Sequence, residues 1–459
     1  MHRRALICDK LQLLKKNYRE SPTVTDRTFE ALHFPACRKR KVEARFDGGN
    51  VSSNGGALLL READRRLGLS RALARRLPDT RQRGKVVHGL EEMLRQRVYA
   101  IALGHEDLND HHTLRHDLAL QTAAERDHAL ASPSSLCRLE NRADRSWAWQ
   151  IHELLVDSFI ASFETAPEEI VLDIDATDDP VHGRQEGRFF HGYYDHHCFL
   201  PLYVFAGDHL LTAYLKPANV DAAKHSRAVL KLLIDRLRRA WPAVRIIVRA
   251  DSGFCRWPLL SWCERHGVDY IIGLARNKRL GTLVEPLSVE MREAFEAEGI
   301  KQRRFAELCY GARSWDRERR VIARLEHGPK GPNPRFVVSS LKGDGQELYE
   351  KLYCARGEME NRIKEQLQLF ADRTSCHRWW PNQFRLLLAG LAYVLMTTIR
   401  RLGLKDTDLA RAQVATIRLK LLKIGAVITR NTRRVRFHLS SACPERALFI
   451  IAAQRLKPG

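Results

Sequence analysis

Three acidic sites, the first of them a pair, stand where they could do chemistry. Asp173 and Asp175 close the apolar run Ile170-Val171-Leu172-Asp173-Ile174-Asp175-Ala176-Thr177. Read as a strand over 170–174, the run places alternate side chains on one face, so Asp173, Asp175 and Thr177 point the same way. Charge beside a buried strand is costly unless it is answered. A divalent cation held by oxygen ligands is the functional answer. The ordinary alternative is a capped strand end before the turn Asp178-Asp179-Pro180. The arrangement then repeats: residues 245–250 are mostly apolar, and Asp251 follows them, with Ser252-Gly253 after it. A third acidic site, Glu360, lies in a helix predicted over 345–370, with Tyr353, Arg356 and Lys364 spaced three, four and four residues apart around it. At about 100° per residue these four form one stripe, which is either a phosphate- and metal-facing surface or a plain ion-pair stripe. Gly357, inside that helix, costs about 1 kcal/mol relative to alanine, which predicts close approach of another group there.

The elements that must position these acids read as a sheet with helices. Strands are predicted at 199–205 and 210–216 around a turn at Gly207-Asp208, at 270–275 and at 335–341, and helices at 226–241 and 257–266. Such alternation predicts an α/β sheet whose ligand sites lie at the carboxyl ends of strands. Residues 166–276 are the first part of this core and 335–400 the second, and between them 277–334 reads as a β-rich insertion with arginine-rich strands at 304–308 and 314–325. Trp315, flanked by Arg313 and Arg317, is either a stacking platform for an unstacked base or a core residue of the insertion. Upstream, 46–165 reads as a helical DNA-binding domain. It has helices over 57–75 and 85–102, and Ser132 opens a helix over 136–143 that carries Arg138 and Arg142. Residues 1–45, with Arg38-Lys39-Arg40-Lys41, read as a basic mobile tail. Residues 401–459 carry 13 Lys+Arg against 3 Asp+Glu, a net of +10, and read as a DNA-contacting segment whose ribbon 430–436 contains Arg433 and Arg434.

Composition narrows the partners. The 459 residues hold 77 Lys+Arg against 55 Asp+Glu, a formal charge of +22, which points to a polyanion such as double-stranded DNA. No membrane partner is expected, because the longest apolar run, 386–399, is too short to span a bilayer and reads as a core helix. No apolar signal region opens the sequence, and the ten cysteines form no CxxC pair, so a reducing cytoplasm is expected. The histidines and cysteine of 191–198 match no zinc-finger spacing.

The order strand-Asp, strand-Asp, β-insertion, helix-Glu, with Tyr353-x2-Arg356-x3-Glu360, resembles the DDE transposases of bacterial insertion sequences, in the branch with a Tyr-Arg-Glu-Lys signature. The resemblance rests also on Leu172-Asp173-Ile174-Asp175-Ala176-Thr177, Ala250-Asp251-Ser252-Gly253-Phe254, Glu360-Asn361-Arg362-Ile363-Lys364 and Ala371-Asp372-Arg373-Thr374-Ser375-Cys376. The branch's lysine falls seven residues after the glutamate, where this chain has Leu367, and Lys364 is taken as its substitute. The resemblance implies an RNase H-like mixed sheet with flanking helices. It implies Asp175, Asp251 and Glu360 as catalytic metal ligands with Asp173 beside them, and two Mg²⁺ ions with Mn²⁺ as a substitute. Tyr353, Arg356, Arg362 and Lys364 would contact DNA. It further implies binding of terminal inverted repeats, cut-and-paste transposition, a homodimer in the DNA complex and a nucleoid-associated place in the bacterial cytoplasm. Two other readings fit the same residues: a structure-selective nuclease without strand transfer, and a DNA-binding protein that has lost catalysis.

Overall fold

The isoleucine- and valine-rich segments pair into one large mixed sheet. The computed structural model describes residues 31–457, so residues 1–30 of the expected basic tail lie outside the described residues. Two compact units divide after Val51. In the first, Leu32–Cys37 and Arg40–Ala44 form an antiparallel hairpin with Arg38 and Lys39 at its turn. Over these residues the mobile-tail expectation is corrected. Phe34 faces Val42 and His33 faces Glu43, and such cross-strand pairs stabilise a hairpin whatever the charge of its turn.

In the second unit the main sheet is built from β1 (Glu169–Ala176), β2 (Leu202–Ala206), β3 (His209–Tyr214), β4 (Arg245–Ala250), β5 (Asp269–Leu274), β6 (Gln302–Tyr310), β7 (Arg319–Gly328) and β8 (Arg335–Ser339). Their spatial order is β6-β7-β8-β5-β4-β1-β2-β3. β4 runs parallel to β1 and β5, and the other neighbours are antiparallel. Even-numbered residues of the central strands (Ile170, Leu172, Ile174, Ile246, Val248) face helices Ser226–Ala240, Trp257–Arg265 and Lys278–Glu298. The opposite face carries Ile247, Ile271, Ile322 and Val337 and is covered by Tyr349, Leu352 and Tyr353. Each such buried aliphatic side chain contributes roughly 1.5–3 kcal/mol, so both layers hold the sheet rigid.

Two expectations about organisation are corrected. The 277–334 segment is no separate β insertion: it opens with the 21-residue helix Lys278–Glu298, and β6 and β7 extend the main sheet through β8. Asn277 caps that helix by accepting the Leu280 amide, and Leu280, Val284 and Met291 bury one side of it. The N-terminal helices are also no independent domain. Leu59, Leu94 and Leu155 share one contiguous core with Phe205, Leu388, Leu395 and Leu456. The organiser is the helix Trp379–Thr398, which is buried almost all round and so needs partners on every side. The span Trp379–Gly403 is long and apolar enough to cross a membrane, yet 83% of its apolar window is buried inside the protein. The expected helix 57–75 breaks at Gly68, whose φ of 64° ends Ala57–Leu67 and starts Leu69–Arg76.

Candidate active site

The site lies on the odd-numbered face of the sheet. The parallel register sets Arg249 beside Asp173 and Ala250 beside Ile174, so Asp175, still within β1, and Asp251, just past the end of β4, follow two residues further on, on the same face. Asp251 accepts the Gly253 amide at 2.9 Å and caps the 3₁₀ turn Ser252–Phe254. The expected long helix over 345–370 is present but wound unevenly. A short turn, Gly345–Glu347, leads into a π-helical stretch, Leu348–Tyr353, then a 3₁₀ turn, Cys354–Arg356, and then the α-helix Gly357–Gln368. Glu360 stands in the first turn of that helix, where the dipole favours a carboxylate.

Arg356 ties the acids together. Its Nη1 donates to Asp175 at 3.1 Å and its Nη2 to Glu360 at 3.0 Å. The Asp175 side chain is 16% exposed and that of Glu360 53%. Burial pushes the Asp175 carboxyl up to about 6, and the negative charges of Asp251 and Glu360 add to the rise while Arg356 opposes it. The same three acids and Tyr353 hold the Arg356 guanidinium above its ordinary value against the cost of burial. Among the described residues no three His, Cys, Asp or Glu side chains form a preformed metal cage. The donor set nevertheless suits a hard divalent cation, because mutual repulsion of carboxylates is the situation such an ion relieves. The Arg356 guanidinium supplies part of that positive charge.

Tyr353 completes the face. A Cβ placed on Gly273 would meet the Tyr353 hydroxyl at 2.6 Å, the Ser252 amide at 2.8 Å and the Asp251 carbonyl carbon at 3.2 Å. The missing side chain at Gly273 is therefore what lets Tyr353 lie beside Asp251. Gly357, the glycine that stands out in the sequence, has nothing within 4 Å of an added Cβ, and the expectation of close approach there is corrected.

A profile of the family described as Transposase DDE domain group 1 matches residues 34–458. The chain belongs to that family. No curated protein matches. Among solved structures, a piggyBac transposase in a synaptic complex with hairpin DNA is similar over 86% of this chain and 82% of that one, at 11% identity and a TM-score of 0.39. Membership in the DDE transposase family supports a transposase function for this chain and implies the use of a divalent metal.

Not every residue expected at the site of this family member is there. Asp173, expected as a further metal ligand, is instead paired to Arg249 through both carboxylate oxygens, at 2.5 and 2.7 Å. Arg362, expected to contact DNA, turns the other way, to Asp208 at 2.5 Å and Glu365 at 3.1 Å, inside a network that also holds Arg400. The α-helical step of two residues from Glu360 carries it about 200° round the helix, off the stripe. Lys364 is exposed and makes no ion pair among the described residues. Trp315 packs edge-on against Tyr310 with Arg319 over its ring at 5.4 Å, as a core residue of the β6–β7 connection would. Arg433 and Arg434 stand exposed at the turn of a hairpin, β9 (Ala426–Arg430) and β10 (Val435–Leu439), with their amides donating to Asn431. Sequence reasoning missed Arg249, although an arginine two residues before Asp251 in a strand buried on both sides demanded a buried acid. It also missed Asp178, which lies 2.9 Å from His196 and, with Asp175, adds to the rise that burial imposes on the Tyr194 hydroxyl.

Proposed function

We propose that this chain is an insertion-sequence transposase that binds terminal inverted repeats and performs cut-and-paste transposition with Asp175, Asp251 and Glu360 as its catalytic triad. The observation that carries the reading is the joint contact of Arg356 with Asp175 and Glu360, in a site where Asp251 also bears on Asp175. The order β3-β2-β1-β4-β5, with β1, β4 and β5 parallel and β2 and β3 antiparallel to their neighbours, supports an RNase H-like core. Bound divalent ions, Mg²⁺ with Mn²⁺ as a substitute, would activate the attacking oxygen and stabilise the leaving one in an in-line displacement at phosphorus. The residues of the chain divide the remaining work. The three carboxylates would hold the cations. Arg356 carries a guanidinium suited to bidentate phosphate contact, and Tyr353 and Lys364 flank the scissile phosphate from the same helical stripe. Arg433 and Arg434 add phosphate contacts from the tail. The reaction would run in a homodimer bound to paired ends, in the bacterial cytoplasm at the nucleoid.

The test is a nicking and strand-transfer assay on a duplex bearing the element's end. Asp251→Ala and Glu360→Ala should bind that duplex as the wild type does and fail to nick it with Mg²⁺. Nicking at the wild-type rate in either variant overturns the triad. Nicking without joining by the wild type would assign a nuclease.

A further inference from the structure

The buried pair Asp173–Arg249 has a third partner. Arg249 is 7% exposed, and beyond its two bonds to Asp173 its Nη1 donates to the Leu352 carbonyl at 2.6 Å. One guanidinium thus joins β1, β4 and the helical stretch that leads to Glu360. We infer that Arg249 is a positioning residue that sets where Glu360 stands relative to Asp175 and Asp251. The inference rests on the metal-triad reading above.

Three observations carry it. First, register: Asp173 and Arg249 are direct partners across the parallel β1–β4 pair, one pleat repeat below Asp175 and Asp251 and on the same face. The clasp and the acids are therefore fixed to the same stretch of sheet. Second, Leu352 lies in the π-helical stretch just before the tight 3₁₀ turn Cys354–Arg356. The winding changes there from wide to narrow, and a carbonyl displaced from the regular α ladder is open to a side-chain donor. A change of winding inside a helix often marks a hinge, so the Arg249 bond, added to the packing of Tyr349 and Leu352 on the sheet, fixes the height and rotation of Tyr353, Arg356 and Glu360. Third, chemistry: a buried ion pair is a poor device for stability, since a well-packed apolar pair of similar volume does as well or better. An apolar pair among Ile247, Ile271, Tyr349 and Leu352 would fill this space. It would not hold the Leu352 carbonyl. The feature that only the arginine supplies is the link to the Glu360 helix.

The experiment measures metal binding and backbone protection in the full-length protein without DNA. Mn²⁺ is titrated and the free ion is read by electron paramagnetic resonance, for the wild type, Glu360→Gln, Arg249→Lys and the double variant Asp173→Leu/Arg249→Met. The double variant should fold, with a Tm within a few degrees of wild type, yet bind Mn²⁺ at least tenfold more weakly and exchange the amide hydrogens of 348–356 faster. Arg249→Lys, which keeps the charge but has one nitrogen for three acceptors, should fold and also lose Mn²⁺ affinity. Wild-type Mn²⁺ affinity and wild-type amide protection in a folded variant would overturn the inference and reduce the pair to packing. If the wild type binds Mn²⁺ no better than Glu360→Gln, the metal-triad reading falls, and the inference with it.

Discussion

At Asp175 the balance of charges has consequences that can be measured without DNA. Its carboxyl is raised from 3.8 to about 6 in the folded protein. Between those values the unfolded chain gives up its proton first, so this group removes stability from the fold as pH rises through that window. Asp175→Asn abolishes the effect. The metal-free variant should be more stable than wild type at pH 7.5, by on the order of 2 kcal/mol, and should match it near pH 4. A constant difference across that range contradicts the assignment. Arg356 is the complementary case. In Arg356→Gln the carboxylates of Asp175 and Glu360 lose their bridging cation. Mn²⁺ titration without DNA should then show tighter binding than wild type, because no guanidinium competes for the same oxygens. Nicking should nevertheless fall by about 10²-fold, for want of a charge aimed at the reacting phosphate. Weaker Mn²⁺ binding in this variant would mean that Arg356 organises the site instead of occupying it.

Two glycines separate the element that was legible in the sequence from the one that was not. The strands came through because their β-branched runs are continuous, and β4 has the bounds its apolar run indicated. The helix bearing Glu360 came through as a stripe, but its π and 3₁₀ windings did not. They arise from packing of Tyr349, Leu352 and Tyr353 on the sheet, which no local spacing encodes. Gly357 draws attention by its place in a helix, whereas at this site it is Gly273, in a strand, that is under constraint. Gly357→Ala meets open space and should raise stability by about 1 kcal/mol with nicking intact. Gly273→Ala drives a methyl against the Tyr353 hydroxyl and the Ser252 amide, and should cost about 1–3 kcal/mol and most of the nicking activity. Thermal unfolding and a nicking assay on the two variants decide the matter; equal behaviour would contradict it. The helix Lys278–Glu298 was obscured by Gly281 and the internal Pro286, residues that read locally as breakers.

Over the whole molecule, the acids could be found from sequence because each stands at the end of an apolar run or in a polar helical stripe. Their partners could not, because Asp173–Arg249 and Arg362–Asp208 are contacts between residues distant in the chain. The same limit made the N-terminal helices look like a separate domain, since only the fold shows Leu94 and Leu388 in one core. The excess of positive charge is, by contrast, fully legible. At the β9–β10 turn it is also exposed, and Arg433 and Arg434 make no ion pair among the described residues. Arg433→Ala/Arg434→Ala should flatten the log–log salt dependence of DNA binding by up to about two units, at about 0.9 per phosphate contact. It should weaken element ends and unrelated duplexes alike. A loss confined to the ends would make this turn a base reader.

The central claim is that Asp175, and not its neighbour Asp173, holds the cation with Asp251 and Glu360. The most direct test is the metal preference of cysteine variants, since a thiolate ligand disfavours Mg²⁺ and accepts Mn²⁺ more readily. Nicking of an end-bearing duplex is measured for Asp175→Cys and Asp173→Cys with each ion in turn. Asp175→Cys should be inert with Mg²⁺ and regain activity with Mn²⁺, while any loss in Asp173→Cys should be the same with both. Recovery by Mn²⁺ in Asp173→Cys, with none in Asp175→Cys, would contradict the account.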